Sequence, residues 1–487
     1  MTSRSHRWIS WISASTVAAL ATSTAVAAVA APAQAKAKAA PVWTKLSTGD
    51  GINVSYEPSV ARFGTQLLVT WPQGAGTINA RVLGASSKPV GPVTNVISGW
   101  TGIVPDPRAF VLHGVPMVAF NGSHTDVTTD PLNGPVLYAQ PTSATTWALG
   151  PGSLTHDVDT SAGYGLGVVD DGAGQPIVAV AGSSTNHLTV HHGFDPSVPA
   201  ATLDTETANL GETQNVSLAR DLKTNLSYAA WYSSRGDASQ GVRAAEVYPA
   251  VSGASAAAPL SVVTYSGEKI STNPGQNIAL AARVGGGVWA AYPSGYPAAH
   301  KLVLWNLQTG RTLTINRPVG EVQYVNLSAG PGGRLWVSWV EGGVVYATRT
   351  NPAVTAFGVL RAVPAPGGDS ATRTAGDGAL GPLDAVINVE VGTAAPAIYS
   401  ARILEGLHVA VSPAKVSYAK GGTVVVSVSD AGVPVSGVSV KVGSAVKVTN
   451  AKGRVSFAVP AHAANGVQAV TASGTGWWPG ASSFKVG

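Results

Sequence analysis

Cysteine is absent from all 487 residues, which rules out disulfides and thiolate metal sites. A chain with no cross-links needs a core large enough to hold it, and this one has the length for that. Charge is also scarce. Only 11% of residues are Asp, Glu, Lys or Arg, scattered without a basic stripe, so nucleic acid is not an expected partner. The formal charge is +5; removing residues 1–35 takes away two arginines and no acid, leaving +3. After the N-terminus no run approaches the roughly 20 apolar residues of a membrane span. Long amphipathic helical periodicity is missing too. Gly, Thr, Val and Ala abound instead, in short alternating runs between Gly and Pro turns, which indicate an all-β chain.

The first residues carry Arg4, His6 and Arg7, followed by an uncharged small-residue stretch from Ile9 to Ala31 and by Ala33, Gln34 and Ala35. A charged start, an apolar middle and a small-x-small end predict a cleaved signal peptide over residues 1–35 and an exported product beginning near Lys36. No lipidated Cys or sorting tail is visible, so a protein found outside the cell is expected.

One unit then recurs: an apolar strand, a tight turn, and a second strand that often ends in an aromatic residue. Ser59–Arg62 turns at Phe63 and Gly64 into Leu67–Trp71, and Ala109–Leu112 turns at His113 and Gly114 into Pro116–Phe120. Further copies begin near Leu166, Val216, Ile278 and Leu327, with a weaker seventh from about Ala375 to Val389. Each is followed by a third strand. A period of roughly 50 residues suits four-stranded propeller blades, which must stack radially to bury both faces. The expected fold is a seven-bladed β-propeller over residues 41–405. The seventh copy lacks a fourth strand before Glu405 and Gly406. Residues 42–46 alternate as a strand should, and pairing them with residues 397–403 would remove an exposed edge.

From Leu407 the strands lengthen, as in Thr423–Val428 and Val438–Val442, and Asn450–Gly453 is expected to turn a hairpin into Arg454–Pro460. A small two-sheet sandwich is expected over residues 406–487. The segments 432–441 and 449–460 resemble bacterial immunoglobulin-like domains, which implies a spacer or adhesion module. Trp477 and Trp478 read as a cover over the end of that sandwich rather than as a sugar platform.

Propeller ligands usually meet the loops that enter the first strand and leave the second, here called the upper face. Three entering loops carry Gly-Glu at Glu212, Glu268 and Glu321, each ahead of an Asn: Asn215, Asn277 and Asn326. The polar exits add Asn121, Asp126, Arg235, Asp237, Tyr296 and His300 as candidate ligand-binding residues. The aromatic strand ends Trp71, Phe120, Trp231, Tyr292 and Trp339 approach the same face, and their repetition favours packing between blades. His187, His191 and His192 have no third ligand fixed by spacing, and His156–Asp159 lacks calcium-loop spacing, so neither metal nor cofactor is expected.

The blade pattern of residues 45–404 resembles the sialidase-like propeller superfamily. That resemblance implies a glycoside hydrolase with a Tyr nucleophile, a Glu base and an arginine cluster for a carboxylate. Tyr324 would be the nucleophile, Glu268 or Glu321 its base, and Arg108, Arg235 and Arg317 the cluster. The Ser-x-Asp-x-Gly-x-x-Trp box of that superfamily is absent from every copy. The sequence supports three functions: a secreted monomer binding a polysaccharide or cell-envelope glycan, which it favours; a glycoside hydrolase; or a scaffold for an envelope protein.

Overall fold

The computed structural model describes residues 41–49, 51–53, 57–74, 76–100, 107–122, 136–154, 165–181, 187–195, 197–198, 200–205, 213–233, 241–249, 256–257, 278–295, 298–392 and 394–487. The expected signal peptide lies outside them. Among the described residues no helix is long and apolar enough to cross a membrane.

The described residues are nearly all-β, and the larger part of them is a β-propeller. Among the described residues between 44 and 403 there are seven four-stranded antiparallel sheets. Numbered in chain order, their first strands are Ser59–Phe63, Arg108–Leu112, Leu166–Asp170, Thr213–Arg220, Ala279–Ala282, Gln323–Ala329 and Ser370–Asp377. Each first strand packs beside the next, and the seventh returns to the first.

Period-two alternation explains the stacking. In the second strand of sheet one, Leu67, Val69 and Trp71 face a core shared with sheet seven, while Leu68 faces a core shared with sheet two. In sheet four, Ala229 and Trp231 pack toward sheet three, and Ala230 and Tyr232 toward sheet five. Such strands are buried on both faces, so they read as continuous apolar runs. The aromatic strand ends are part of this packing. Trp71, Trp231, Tyr292 and Trp339 are 0% exposed and Phe120 is 1% exposed, so none of them is available to stack on a sugar.

The ring closes as the edge argument predicts. Thr44–Lys45 pairs antiparallel with the third strand of sheet seven, Thr44 opposite Ser400 and Lys45 opposite Tyr399. Polar contacts lock this seam at the lower face. Arg62 donates to Asp377 at 2.7 Å and to Asp384 at 2.5 Å, and Ser87 and Arg402 also engage Asp384. Burial pushes the Asp377 carboxyl up, although Arg62 opposes this. Elsewhere side chains stitch neighbouring first strands together. Ser59 Oγ accepts from Ala109 N, and Ser217 Oγ donates to Ile278 O.

Beyond Ile403, one sheet holds His408–Ser412, Gly422–Asp430, Val433–Pro434 and Arg454–Val459. A second holds Lys415–Val416, Ser439–Val442, Ala445–Val448, Gly466–Ser473 and Gly480–Val486. Val424, Val426 and Val428 from one meet Val440, Val470 and Phe484 from the other in a single core. The Asn450–Gly453 turn is not the expected hairpin. Ala445–Val448 pairs with Ser439–Val442, whereas Arg454–Val459 pairs with Gly422–Asp430 in the opposite sheet. Asn450 Oδ1 accepts from the backbone N–H groups of Lys452 and Arg454, so the turn is tight, but it crosses between sheets.

This unit is clamped to sheet six. Arg349 donates to Asp430 at 2.7 and 2.9 Å and pairs with Glu405, while Arg334 reaches Asp430 at 2.9 Å. Asp430 is 1% exposed. Burial raises the Glu405 carboxyl despite Arg349. Trp477 and Trp478 belong to this joint, with Arg349 Cζ 5.3 Å from the Trp477 ring and Arg361 Cζ 3.5 Å from the Trp478 ring.

Candidate functional site

The first strands converge on the propeller axis and enclose a cavity of about 180 Å³. Glu57, Ser59, Arg108, Asn215, Ser217, Asn326 and Thr374 supply its polar lining. Arg108 is fixed twice: Nε donates to Leu166 O at 2.8 Å, and Nη1 reaches Glu57 Oε2 at 3.4 Å. Thr374 Oγ1 and Arg373 Nε are buried with no hydrogen-bond partner among the described residues.

Register shifts shape the upper end of this cavity. In sheet four the pairing slips between Gln214 and Ser217, and in sheet six between Gln323 and Asn326. Asn215 and Tyr324 occupy these bulges at φ 57° and 52°, a left-handed conformation. The equivalents are therefore Asn215 with Tyr324, and Ser217 with Asn326. The sequence pattern had matched Asn215 with Asn326, because a bulge adds a residue that a motif does not reveal.

Tyr324 lies under Arg373, whose Cζ is 3.7 Å from the ring centroid, and near Glu57 and Glu321. Burial pushes its phenol up; Arg373 pulls it down and the two carboxylates push it up, with a net rise. The phenol therefore stays protonated at neutral pH, accepting from Arg373 and keeping an O–H that can donate. A nucleophilic phenolate would need the opposite shift.

Three residues singled out by sequence, Arg108, Tyr324 and Glu321, thus share this neighbourhood, joined by Glu57. Arg317 sits further out, bound to Glu341 at 2.6 and 2.9 Å and 4.6 Å above the Tyr346 ring. The Glu341 contact holds its guanidinium above the usual arginine value. His300 Nδ1 lies 2.7 Å from Gly320 O, beside Glu321, whose Oε2 accepts from Gln323 Nε2 at 3.1 Å. Asn121 is 2% exposed at the end of its strand, inside the protein rather than on the exit loop. Glu212, Glu268, Asp126, Arg235, Asp237 and Tyr296 lie outside the described residues.

Sequence reasoning missed Glu57, Arg373 and Thr374. Glu57 had a signal, since it stands two residues before the first strand as an acid on an entering loop. Arg373 had none, because its strand begins with a bulge between Ala371 and Arg373. Of the histidines, His192 Nε2 lies 2.7 Å from the buried Asp171, and burial holds His191 below the usual imidazole value. Among the described residues no group of three His, Asp or Glu is arranged to hold a metal.

No protein-family model matches the chain, and no curated protein matches it. Among solved structures it is similar to a catalytically inactive virginiamycin B lyase from Staphylococcus aureus with quinupristin, at 10% identity and a TM-score of 0.43, covering 74% of this chain and 99% of that one. It is also similar to an ulvan lyase bound to a sulfated glucuronate–rhamnose disaccharide unit, at 8% identity and 0.44, covering 74% and 94%. A third is a lectin in complex with alpha methyl fucoside, at 14% identity and 0.39, covering 65% and 98%. Likenesses this distant carry no argument about the site, and the propeller assignment rests on the chain's own sheet order and shared cores.

Proposed function

We propose that the protein is exported and binds a glycan at the upper mouth of the axial cavity. The observation that carries this reading is that Glu57 and Arg108 pair on the wall of one polar opening lined also by Asn215, Asn326 and Thr374, with Tyr324, stacked under Arg373, close to Glu57. With Glu321 nearby, two carboxylates balance two guanidinium groups. A rim without excess charge that both donates and accepts hydrogen bonds suits the hydroxyls of a polysaccharide or cell-envelope glycan. The loops carrying Glu212, Arg235 and Asp237 would extend the contact along the polymer. In this reading residues 1–35 are a cleaved signal peptide, residues 41–405 bind, and residues 406–487, an immunoglobulin-like unit, are held against the binding unit.

A hydrolase of sialidase-like type is the second reading, favoured by the proximity of Tyr324, Glu57 and Arg108. The upward shift of the Tyr324 phenol weighs against it. One experiment separates the two. The mature chain is screened on a glycan array and for glycoside hydrolysis, beside Glu57→Gln and Tyr324→Phe. Binding without turnover, weakened in both variants, supports the proposal. Turnover abolished by Tyr324→Phe replaces it with the hydrolase. Capture of an envelope protein with no glycan signal replaces it with the scaffold.

A further inference from the structure

Where the C-terminal unit meets sheet six there is a second opening, separate from the axial cavity. It has a volume of about 500 Å³, and Arg361, His408, Trp478 and Pro479 line it together with apolar neighbours. We propose that this cleft is an oxyanion-binding site, in which Arg361 pairs with one carboxylate, sulfate or phosphate group of a ligand lying along Trp478.

The argument begins with charge. Three arginines, Arg334, Arg349 and Arg361, enter the joint, and two carboxylates, Glu405 and Asp430, meet them. Both carboxylates are taken by Arg334 and Arg349. Arg361 is left over. Among the described residues no carboxylate pairs with it, and its one resolved polar contact is the Trp478 ring, 3.5 Å from Cζ. Yet Arg361 is only 8% exposed. None of its guanidinium nitrogens is sealed off from the cleft, and a deeply set cation with no carboxylate beside it is partly desolvated in advance, which strengthens its attraction for an anion. Burial alone brings its guanidinium down to about 10, so it remains a cation at neutral pH.

The geometry holds Arg361 in place. Its residue pairs with Ala347 in sheet six. Gly406 lies against its stem, and a side chain at Gly406 would approach Val359 at 2.7 Å. Gly406 also pairs in parallel register with Trp478, which fixes the indole over the guanidinium. A guanidinium stacked on an indole keeps its in-plane N–H groups free, and that planar fork matches an oxyanion. Exposed His408 stands on the same cleft as a further donor. The proposal holds whether or not the upper rim binds a glycan.

The test titrates the mature chain with sodium sulfate, inorganic phosphate and glucuronate, with glucose as the uncharged counterpart of glucuronate and sodium chloride holding ionic strength constant. Binding is read by calorimetry and by indole fluorescence. At least one oxyanion should bind saturably and glucose should not. Arg361→Gln should weaken that binding roughly tenfold or more. Arg361→Lys, which keeps the charge and loses the fork, should fall between. If Arg361→Gln does not fold, Trp478→Phe carries the test and should also lower affinity. The preferred ion names the source: glucuronate an acidic sugar, sulfate a sulfate ester, phosphate a phosphate-bearing ligand. A response equal to that of chloride, or oxyanion binding unchanged in the variants, overturns the proposal.

Discussion

Arg62 and Asp384 stand 322 residues apart in the chain and 2.5 Å apart in the fold. Their contact joins the first sheet to the seventh, and Asp384 is 1% exposed. Removing the carboxylate leaves Arg62 without one of its two acids, Ser87 Oγ without its acceptor and Arg402 without its ion-pair partner. Asp384→Ala is expected to destabilise the propeller by about 3–5 kcal/mol, the usual cost of breaking a buried ion pair from one side. The urea midpoint measures it.

The short outer strand should matter through the edge it covers. A chain starting at residue 49 lacks Thr44–Lys45 and leaves the strand carrying Tyr399 and Ser400 as an open edge. Exposed edges pair with other chains. Light scattering should show aggregation in this truncated protein under conditions that keep the mature chain monodisperse.

At the upper rim, Tyr324→Phe removes one donor and keeps the ring under Arg373. Glycan affinity should fall about five- to tenfold, the worth of roughly one hydrogen bond, with little change in melting temperature. Equal affinity for both proteins, measured by calorimetry, would remove the phenol from the proposed contact.

Acid should expose the role of Asp171. Burial alone would raise its carboxyl, but His192 and the backbone N–H groups of Gln175, Ala173 and Gly174 more than offset this and hold it below its ordinary 3.8. A carboxylate depressed in the folded state stabilises above its unfolded value, and that contribution is lost as pH falls through the folded one. Asp171→Asn should therefore cost about 1–3 kcal/mol near neutral pH. The difference in urea midpoint between the two proteins should shrink below the ordinary carboxylate range. A difference independent of pH would assign the effect to packing.

The clamp makes a prediction about cooperativity. Arg349 ties Glu405 and Asp430 to sheet six, so the C-terminal unit should unfold together with the propeller. Arg349→Ala leaves both acids short of a partner at the joint. Calorimetry of that variant should resolve two transitions where the unaltered chain shows one.

Much of the fold is legible in the order of residues because a propeller strand is specified locally. Runs such as Leu67–Trp71 or Leu335–Trp339 alternate between two buried faces, and turns such as Phe63–Gly64 allow only short connections. Even the closing strand could be placed, since an unpaired edge in the seventh repeat demands a partner. Motif spacing failed where the backbone bulges. Asn326 looked like the partner of Asn215, but the slipped register gives that role to Tyr324. It failed again at Asn450–Gly453, where a tight turn that could close a hairpin instead passes from one sheet to the other.

The sequence by itself determined the strands, the repeat and the scarcity of charge, all properties of neighbouring residues. Tertiary structure alone decided which charges meet. Glu57 precedes sheet one and Arg108 opens sheet two, Tyr324 belongs to sheet six and Arg373 to sheet seven, and only packing sheet against sheet brings Arg108 to Glu57 and Arg373 over Tyr324. Arg361 is an ordinary arginine in the sequence; it becomes a buried cation without a counter-charge because Arg334 and Arg349 reach Glu405 and Asp430 first. Coulomb interactions depend on distance through space and on the solvent that burial removes, and neither quantity is encoded in local pattern.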